Sequence, residues 1–189
     1  MRHGLSLLLI VASFGLAFGT EQKPEFPERR QVQRLPEFNA PNASNWINSE
    51  PLTVDDLAGR VVLLEFWTTD CVNCVRSLPW IKELDSRYAE RGFELIGVHS
   101  PEFEHESDLN RLRDYIANEG ITYPVLVDNF HVYWNKLGNK FWPAFYLIDR
   151  QGRIRHLQIG ETRSGTESAK SFEQQIERLL AEPYAADSP

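Results

Sequence analysis

Val61-Val62-Leu63-Leu64-Glu65-Phe66-Trp67-Thr68-Thr69-Asp70-Cys71-Val72-Asn73-Cys74 is the stretch that decides the fold. Its first seven residues are β-branched, aliphatic or aromatic apart from Glu65 and show no alternation, the pattern of a strand covered by helices on both faces. Beyond Cys71 the period changes. Val75, Leu78, Ile81, Leu84 and Tyr88 recur at helical spacing, so a helix is expected over residues 71–91, with Gly92 as its stop. Two cysteines therefore stand where a strand runs into a helix.

That position has chemical consequences. Free N–H groups and the dipole at a helix N-terminus stabilise an anion, which draws a thiol down from about 8.5 toward roughly 3.5 to 7.5. Cys71 is thereby the attacking thiolate. Cys74, one turn inside, is placed to attack a mixed disulfide formed at Cys71 and release the product. A zinc half-site and an inert staple are the competing readings. Zinc needs four ligands, and with two cysteines in all and His99, His105, His131 and His156 scattered, the redox reading stands ahead.

Outward from the dithiol, residues 93–98 are expected as the next strand, 107–118 as a helix ended by Gly120, and 125–127 as a strand. Residues 132–137 give a short helix. Residues 144–148 and 154–159 flank the turn Asp149-Arg150-Gln151-Gly152 and read as a hairpin, and 172–180 as an amphipathic closing helix. Upstream, Leu35 to Phe38 and Trp46 to Asn48 read as short edge strands, and 54–57 as a helical turn. The fold class is α/β, a mixed central sheet flanked by helices.

The 189 residues, 42% hydrophobic and 25% charged, suit one domain, placed at residues 35–182. Residues 1–19 read as a secretory signal peptide: Arg2, an uncharged run over 5–17, then Ala17-Phe18-Gly19. An uncleaved anchor is the alternative, but the run is shorter than the roughly 20 residues a span needs. Residues 20–34, with Pro24 and Pro27, read as a flexible lead-in, and 183–189 as a flexible tail. The net charge of −7 becomes −8 once Arg2 leaves with the signal, which argues against a nucleic-acid partner. The acidic run 102–108 reads as a solvated face.

The stretch from Glu65 to Cys74, followed by Pro79, resembles the thioredoxin active-site segment, with an acid six residues before the first Cys and a proline eight after it. Trp142-Pro143 matches the position of that family's cis-proline, and Gly152 and Gly160 fall where its closing hairpin carries glycines. The extra N-terminal segments and the insert 101–141 are similar to the TlpA/ResA-like branch, and nearest to the thioredoxin-like domain of DipZ-type proteins. The resemblance implies a thioredoxin-like fold with N-terminal extra strands and a central α/β insertion. It also implies an exported, periplasmic thiol:disulfide oxidoreductase acting on protein thiols and disulfides, as a reductant, with cytochrome c maturation as one setting. A membrane thiol electron donor is expected, with a monomeric state and neither cofactor nor metal.

Glu65 stands where thioredoxin carries aspartate. Buried in an apolar strand it would hold its proton more tightly and could accept the Cys74 proton during resolution, whereas a strand-end Glu reaching solvent or an Arg is the plainer alternative. Pro143 and the Trp142 backbone are implied as the substrate-pairing element, and Pro79 is expected to kink the helix. Trp67, Trp80, Trp142, Phe141 and Tyr123 are candidates for an apolar rim around Cys71. Core packing is favoured for Trp67 and Phe141, while Trp80 and Trp142 stay open between rim and core. His99 is read as a satisfied structural histidine.

Two other functions compete. Thr68, three residues before Cys71, fits a peroxiredoxin-like thiol peroxidase, but Leu64 stands where that scaffold needs proline. A copper or haem carrier would require Cys71, Cys74 and His131 to converge.

Overall fold

The computed structural model describes residues 33–38 and 40–184. The signal segment, most of the lead-in and residues 185–189 of the tail lie outside the described residues.

The described chain forms one six-stranded mixed sheet in the order β1-β4-β3-β2-β5-β6. The strands are β1 (Trp46–Ile47), β2 (Val61–Trp67), β3 (Phe93–His99), β4 (Val125–Val127), β5 (Ala144–Ile148) and β6 (Ile154–Ile159). The helices are α1 (Val72–Tyr88), α2 (Leu109–Asn118), α3 (Val132–Leu137) and α4 (Glu167–Ala181). β3 and β4 run parallel to β2, and β5 pairs antiparallel on its other side. All seven residues of β2 are buried, Glu65 among them, as its otherwise apolar composition requires of a central strand.

The two faces of β2 feed two cores. Val61, Leu63 and Trp67 pack with Leu78, Ile81 and Leu84 of α1, Leu112 and Ile116 of α2, and Phe172 and Ile176 of α4. Val62, Leu64 and Phe66 pack on the opposite side with Tyr133, Trp134 and Leu137 of α3 and with Leu35, Phe38 and Trp46. Each such fully buried side chain contributes about 1.5 to 3 kcal/mol.

Element ends differ from the sequence expectation where polar side chains cap them. α1 ends at Tyr88, and a 3-10 turn carries the chain to Gly92 in the left-handed region. α2 starts at Leu109 because the Asp108 carboxylate accepts from the Asn110 and Arg111 N–H groups, while Glu104–Ser107 is a 3-10 turn. α4 begins at Glu167 because Thr166 caps it, five residues earlier than the apolar period indicates. The expected N-terminal strands shrink to the two residues of β1, antiparallel on β4. Leu35 to Phe38 is not a strand: the Leu35 N–H donates to the Gly152 carbonyl, and Phe38 is held by its ring against Trp46 and Tyr133. Among the described residues no helix is long and apolar enough to cross a membrane.

Candidate active site

Cys71 is the N-cap of α1, and its Sγ accepts from the Cys74 N–H at 3.3 Å. Both cysteines are free thiols, Cys71 half-buried and Cys74 buried. The hydrogen bond from the Cys74 thiol, joined by the Cys74 and Asn73 backbone N–H groups, lowers the Cys71 thiol to about 7 against the opposing effects of burial and Glu102. Burial first, then the loss of its proton's hydrogen bond to Cys71, pushes the Cys74 thiol far above its ordinary value. One sulfur is ready to attack at neutral pH and the other keeps its proton until a base removes it.

The base candidate lies beneath. Glu65 is 2% exposed, on the face of β2 that also carries Trp67. Burial raises its carboxyl from 4.5 to about 8, opposed by a hydrogen bond from the Tyr123 hydroxyl and assisted by the charge of Cys71. Tyr123 Oη stands 3.4 Å from Glu65 Oε2. The solvent and arginine alternatives for Glu65 are not realised, because the strand is central and its cross-strand partners are Gly97 and Phe145. Gly97 is required here: a Cβ at that position would lie 2.7 Å from Trp67 Nε1 and 3.1 Å from Tyr123 Cε2. The missing side chain opens the space through which Tyr123 reaches Glu65.

The Trp142–Pro143 peptide is cis. Trp142 is half-buried, donates from Nε1 to the Ser100 carbonyl at 2.9 Å, and lies on Trp134 with ring centroids 4.3 Å apart. The Pro143 carbonyl accepts from the Gly160 N–H, tying the start of β5 to the end of β6.

Several candidates require correction. Trp80 is 1% exposed, donates from Nε1 to Glu173 and packs edge-on to Phe145 and Phe172, so it belongs to the core and not to an exposed rim. Tyr123 is likewise buried beneath the dithiol rather than on a rim. Phe141, expected in the core, is 53% exposed, because the 139–142 turn leading to Pro143 carries it outward. His99 is structural but not satisfied. It is fully buried against Trp67, neither ring nitrogen has a hydrogen-bond partner among the described residues, and burial lowers it to about 4.

The competing chemistries lose their geometry. Thr68 is buried and donates its hydroxyl proton to Glu106, so the arrangement of a peroxide-activating threonine is absent. Among the described residues no three His, Cys, Asp or Glu side chains are grouped as a metal site, and the His131 ring packs against Trp134 and Trp142.

Sequence reasoning missed Glu106. It sits in the acidic run read as a solvated face, yet it is 1% exposed. Its Oε1 accepts from the Thr68 and Thr69 hydroxyls and the Asp70 N–H, and its Oε2 from the Glu102 and Phe103 N–H groups. Burial alone would raise this carboxyl, but those hydrogen bonds prevail and lower it to about 2. Asp70 is gripped from the same segment by His105 at 2.6 Å and Arg111 at 3.0 Å. The available signal was a pair of threonines following a strand apolar but for Glu65, polar groups that need a partner once buried.

Comparison with known proteins agrees with this geometry. The family model described as Redoxin matches residues 32–176. The chain is 38% identical over 121 residues to Protein DipZ of Mycobacterium tuberculosis, a match covering 62% of this chain and 17% of DipZ. It is 30% identical over 151 residues to the thiol-disulfide oxidoreductase YkuV of Bacillus subtilis, covering 79% of this chain and 96% of YkuV. Among solved structures, a thiol-disulfide isomerase from Corynebacterium glutamicum superposes with a TM-score of 0.68 at 27% identity, covering 81% of this chain and 99% of that one.

Proposed function

The chain belongs to the Redoxin family, and from that membership we propose that it is an exported thiol:disulfide oxidoreductase that reduces disulfides in other proteins. The observation that carries this reading is the Cys71 thiol, held at about 7 on the helix N-terminus above a buried Cys74 thiol and the carboxyl of Glu65. The lowered Cys71 thiol beside a Cys74 thiol that keeps its proton suits the reduced dithiol as the attacking form, which is the form that donates electrons.

The Cys71 thiolate attacks a substrate disulfide. One S–S bond forms as another breaks, and the departing substrate sulfur takes a proton from water. Glu65, in its ionised form, then accepts the Cys74 proton, directly or through a water. The Cys74 thiolate attacks Cys71 Sγ, closing the Cys71–Cys74 disulfide and expelling the second substrate thiolate. Two electrons have passed to the substrate. Trp142 and Pro143 present the substrate segment beside Cys71 through the backbone. A second dithiol restores the reduced state, and a membrane thiol protein is the donor that suits an oxidising compartment. Export is supported by the leader pattern over residues 1–19, and apocytochrome c is one substrate class that fits a reductant placed there.

The test is to express the Cys74→Ala variant with its leader and identify proteins disulfide-bonded to Cys71 by diagonal electrophoresis and mass spectrometry. Exported proteins trapped through their own cysteines are the expected result. A folded variant that traps nothing would refute the assignment of a protein substrate.

A further inference from the structure

Between the end of β2 at Trp67 and the N-cap at Cys71 the chain has three residues, Thr68, Thr69 and Asp70, with neither glycine nor proline to fix their conformation. All three donate to one oxygen of Glu106. The other oxygen takes the Glu102 and Phe103 N–H groups at 2.8 Å each, in the segment that leaves the parallel neighbour β3. The carboxylate is thus a buried clasp between the two strand exits whose geometry places Cys71. Trp67 and His99 are register partners at those exits, and the Ser100 N–H donates to the Trp67 carbonyl, so the clasp closes a gap that the sheet has already brought together.

We propose that Glu106 is a positioning residue for the dithiol: by binding residues 68–70 to residues 102–103 it holds Cys71 at the head of α1, in the orientation in which the helix N-terminus stabilises its thiolate. The proposal rests on the dithiol reading for its significance, but not for its test. A carboxylate that accepts five hydrogen bonds is committed to its ionised form, and that form is an acceptor at both oxygens, as the clasp demands. A glutamine would turn an NH2 group toward either the hydroxyl side or the two backbone donors, and one half of the clasp would open.

The direction of the effect separates this role from a simple charge effect. Removing a negative charge near a thiol lowers its pKa, whereas releasing the loop that holds Cys71 on the helix end raises it. The other groups facing Cys71 are Cys74 from its own helix, Glu65 from β2 and Glu102 from the clasped segment; Thr69→Val changes none of them, and Glu106→Gln frees at most Glu102, whose withdrawal lowers the Cys71 thiol and so opposes the expected rise.

The experiment is peptide-resolved alkylation of Cys71 by iodoacetamide as a function of pH in the reduced full-length protein. Wild type, Glu106→Gln and Thr69→Val are compared, with folding checked by near-ultraviolet circular dichroism. Thr69→Val removes one hydroxyl donor, keeps the volume and leaves the Glu106 charge in place. The expected result is an upward displacement of the Cys71 midpoint in both variants, by about half a unit or more for Glu106→Gln, which is about a threefold loss of alkylation rate below the midpoint. A downward displacement in Glu106→Gln, or unchanged midpoints, overturns the proposal. If Glu106→Gln does not fold, Thr69→Val decides alone: an upward displacement supports the clasp and no displacement overturns it. The measurement needs no protein substrate, so failure of the proposed function would leave its outcome intact.

Discussion

Replacing Glu65 by Gln should stabilise the protein increasingly as pH rises, because this site retains a carboxyl that the rest of the structure disfavours in its charged form. In the unfolded chain the group ionises near 4.5, and in the folded protein near 8. The folded state therefore binds the proton more tightly, and stability is lost as pH rises between those two values. Below 4.5 both states are protonated and the group has no effect. Above 8 both are ionised and the whole penalty is present. At pH 7 the displacement spans two and a half units at about 1.4 kcal/mol each, a penalty of roughly 3 to 4 kcal/mol. Glutamine is neutral in both states, so it removes this pH-dependent part and adds a pH-independent cost for its amide N–H groups. The slope is therefore the test and the intercept is not. Urea unfolding of both reduced proteins at pH 5, 6, 7 and 8 measures it. His99 and the shifted groups that do not face Glu65 are common to the two proteins and cancel in the difference, and carrying Cys71→Ser in both removes the thiol that does face it. The stability difference should move in favour of the variant by about 1.4 kcal/mol per unit from pH 5 to near 8, then flatten. A difference independent of pH would show that Glu65 ionises normally in the folded protein and would remove it as the base for Cys74.

Three further outcomes follow from the same geometry. Cys74→Ala deletes the thiol that donates to Cys71, and a hydrogen bond to a charged acceptor contributes about 1.5 to 3 kcal/mol. The Cys71 midpoint should rise from about 7 by roughly one unit or more, read from thiolate absorbance at 240 nm; an unmoved midpoint would assign the lowering to the backbone alone. Gly97→Ala forces a Cβ against Trp67 and Tyr123, costing about 1 to 3 kcal/mol and loosening the Tyr123 contact, so the pH midpoint of the Glu65 effect should move upward; urea titration across pH checks both. Trp80→Ala should lose about 3 to 5 kcal/mol by urea titration, while KM for a reducible protein disulfide stays unchanged, since Trp80 touches core and Glu173 only.

The sheet, the strand-to-helix junction and the two thiols were legible because each is written in periodicity. β2 is apolar apart from Glu65, α1 carries its apolar residues three and four apart, and cysteines three positions apart on a helix start have a fixed relation. Glu65 was legible for the opposite reason, as one acid in seven apolar positions. Caps were less so: Asp108 and Thr166 set helix starts through a single side-chain hydrogen bond that leaves no period. The aromatic side chains divided for reasons of tertiary packing. Trp80 and Phe141 have similar sequence surroundings, and only the closure of α1 on β5 and α4 buries one, while the turn before Pro143 exposes the other. Glu106 was hidden because its three partners on Oε1, Thr68, Thr69 and Asp70, lie more than thirty residues upstream and it is surrounded by acids that do face water.

β2 lies between β3 and β5 with every side chain buried, so its amides have no local route to solvent. Their hydrogen exchange should proceed only through whole-molecule opening, while the first turn of α1, one short loop away, exchanges by fraying. The dithiol and its carboxyl thus sit on opposite ends of the protection scale. Glu65 is consequently expected to stay within the most protected strand while Cys71 meets a substrate. Deuterium labelling of β2 would serve as a residue-level gauge of the global stability whose pH dependence Glu65 controls.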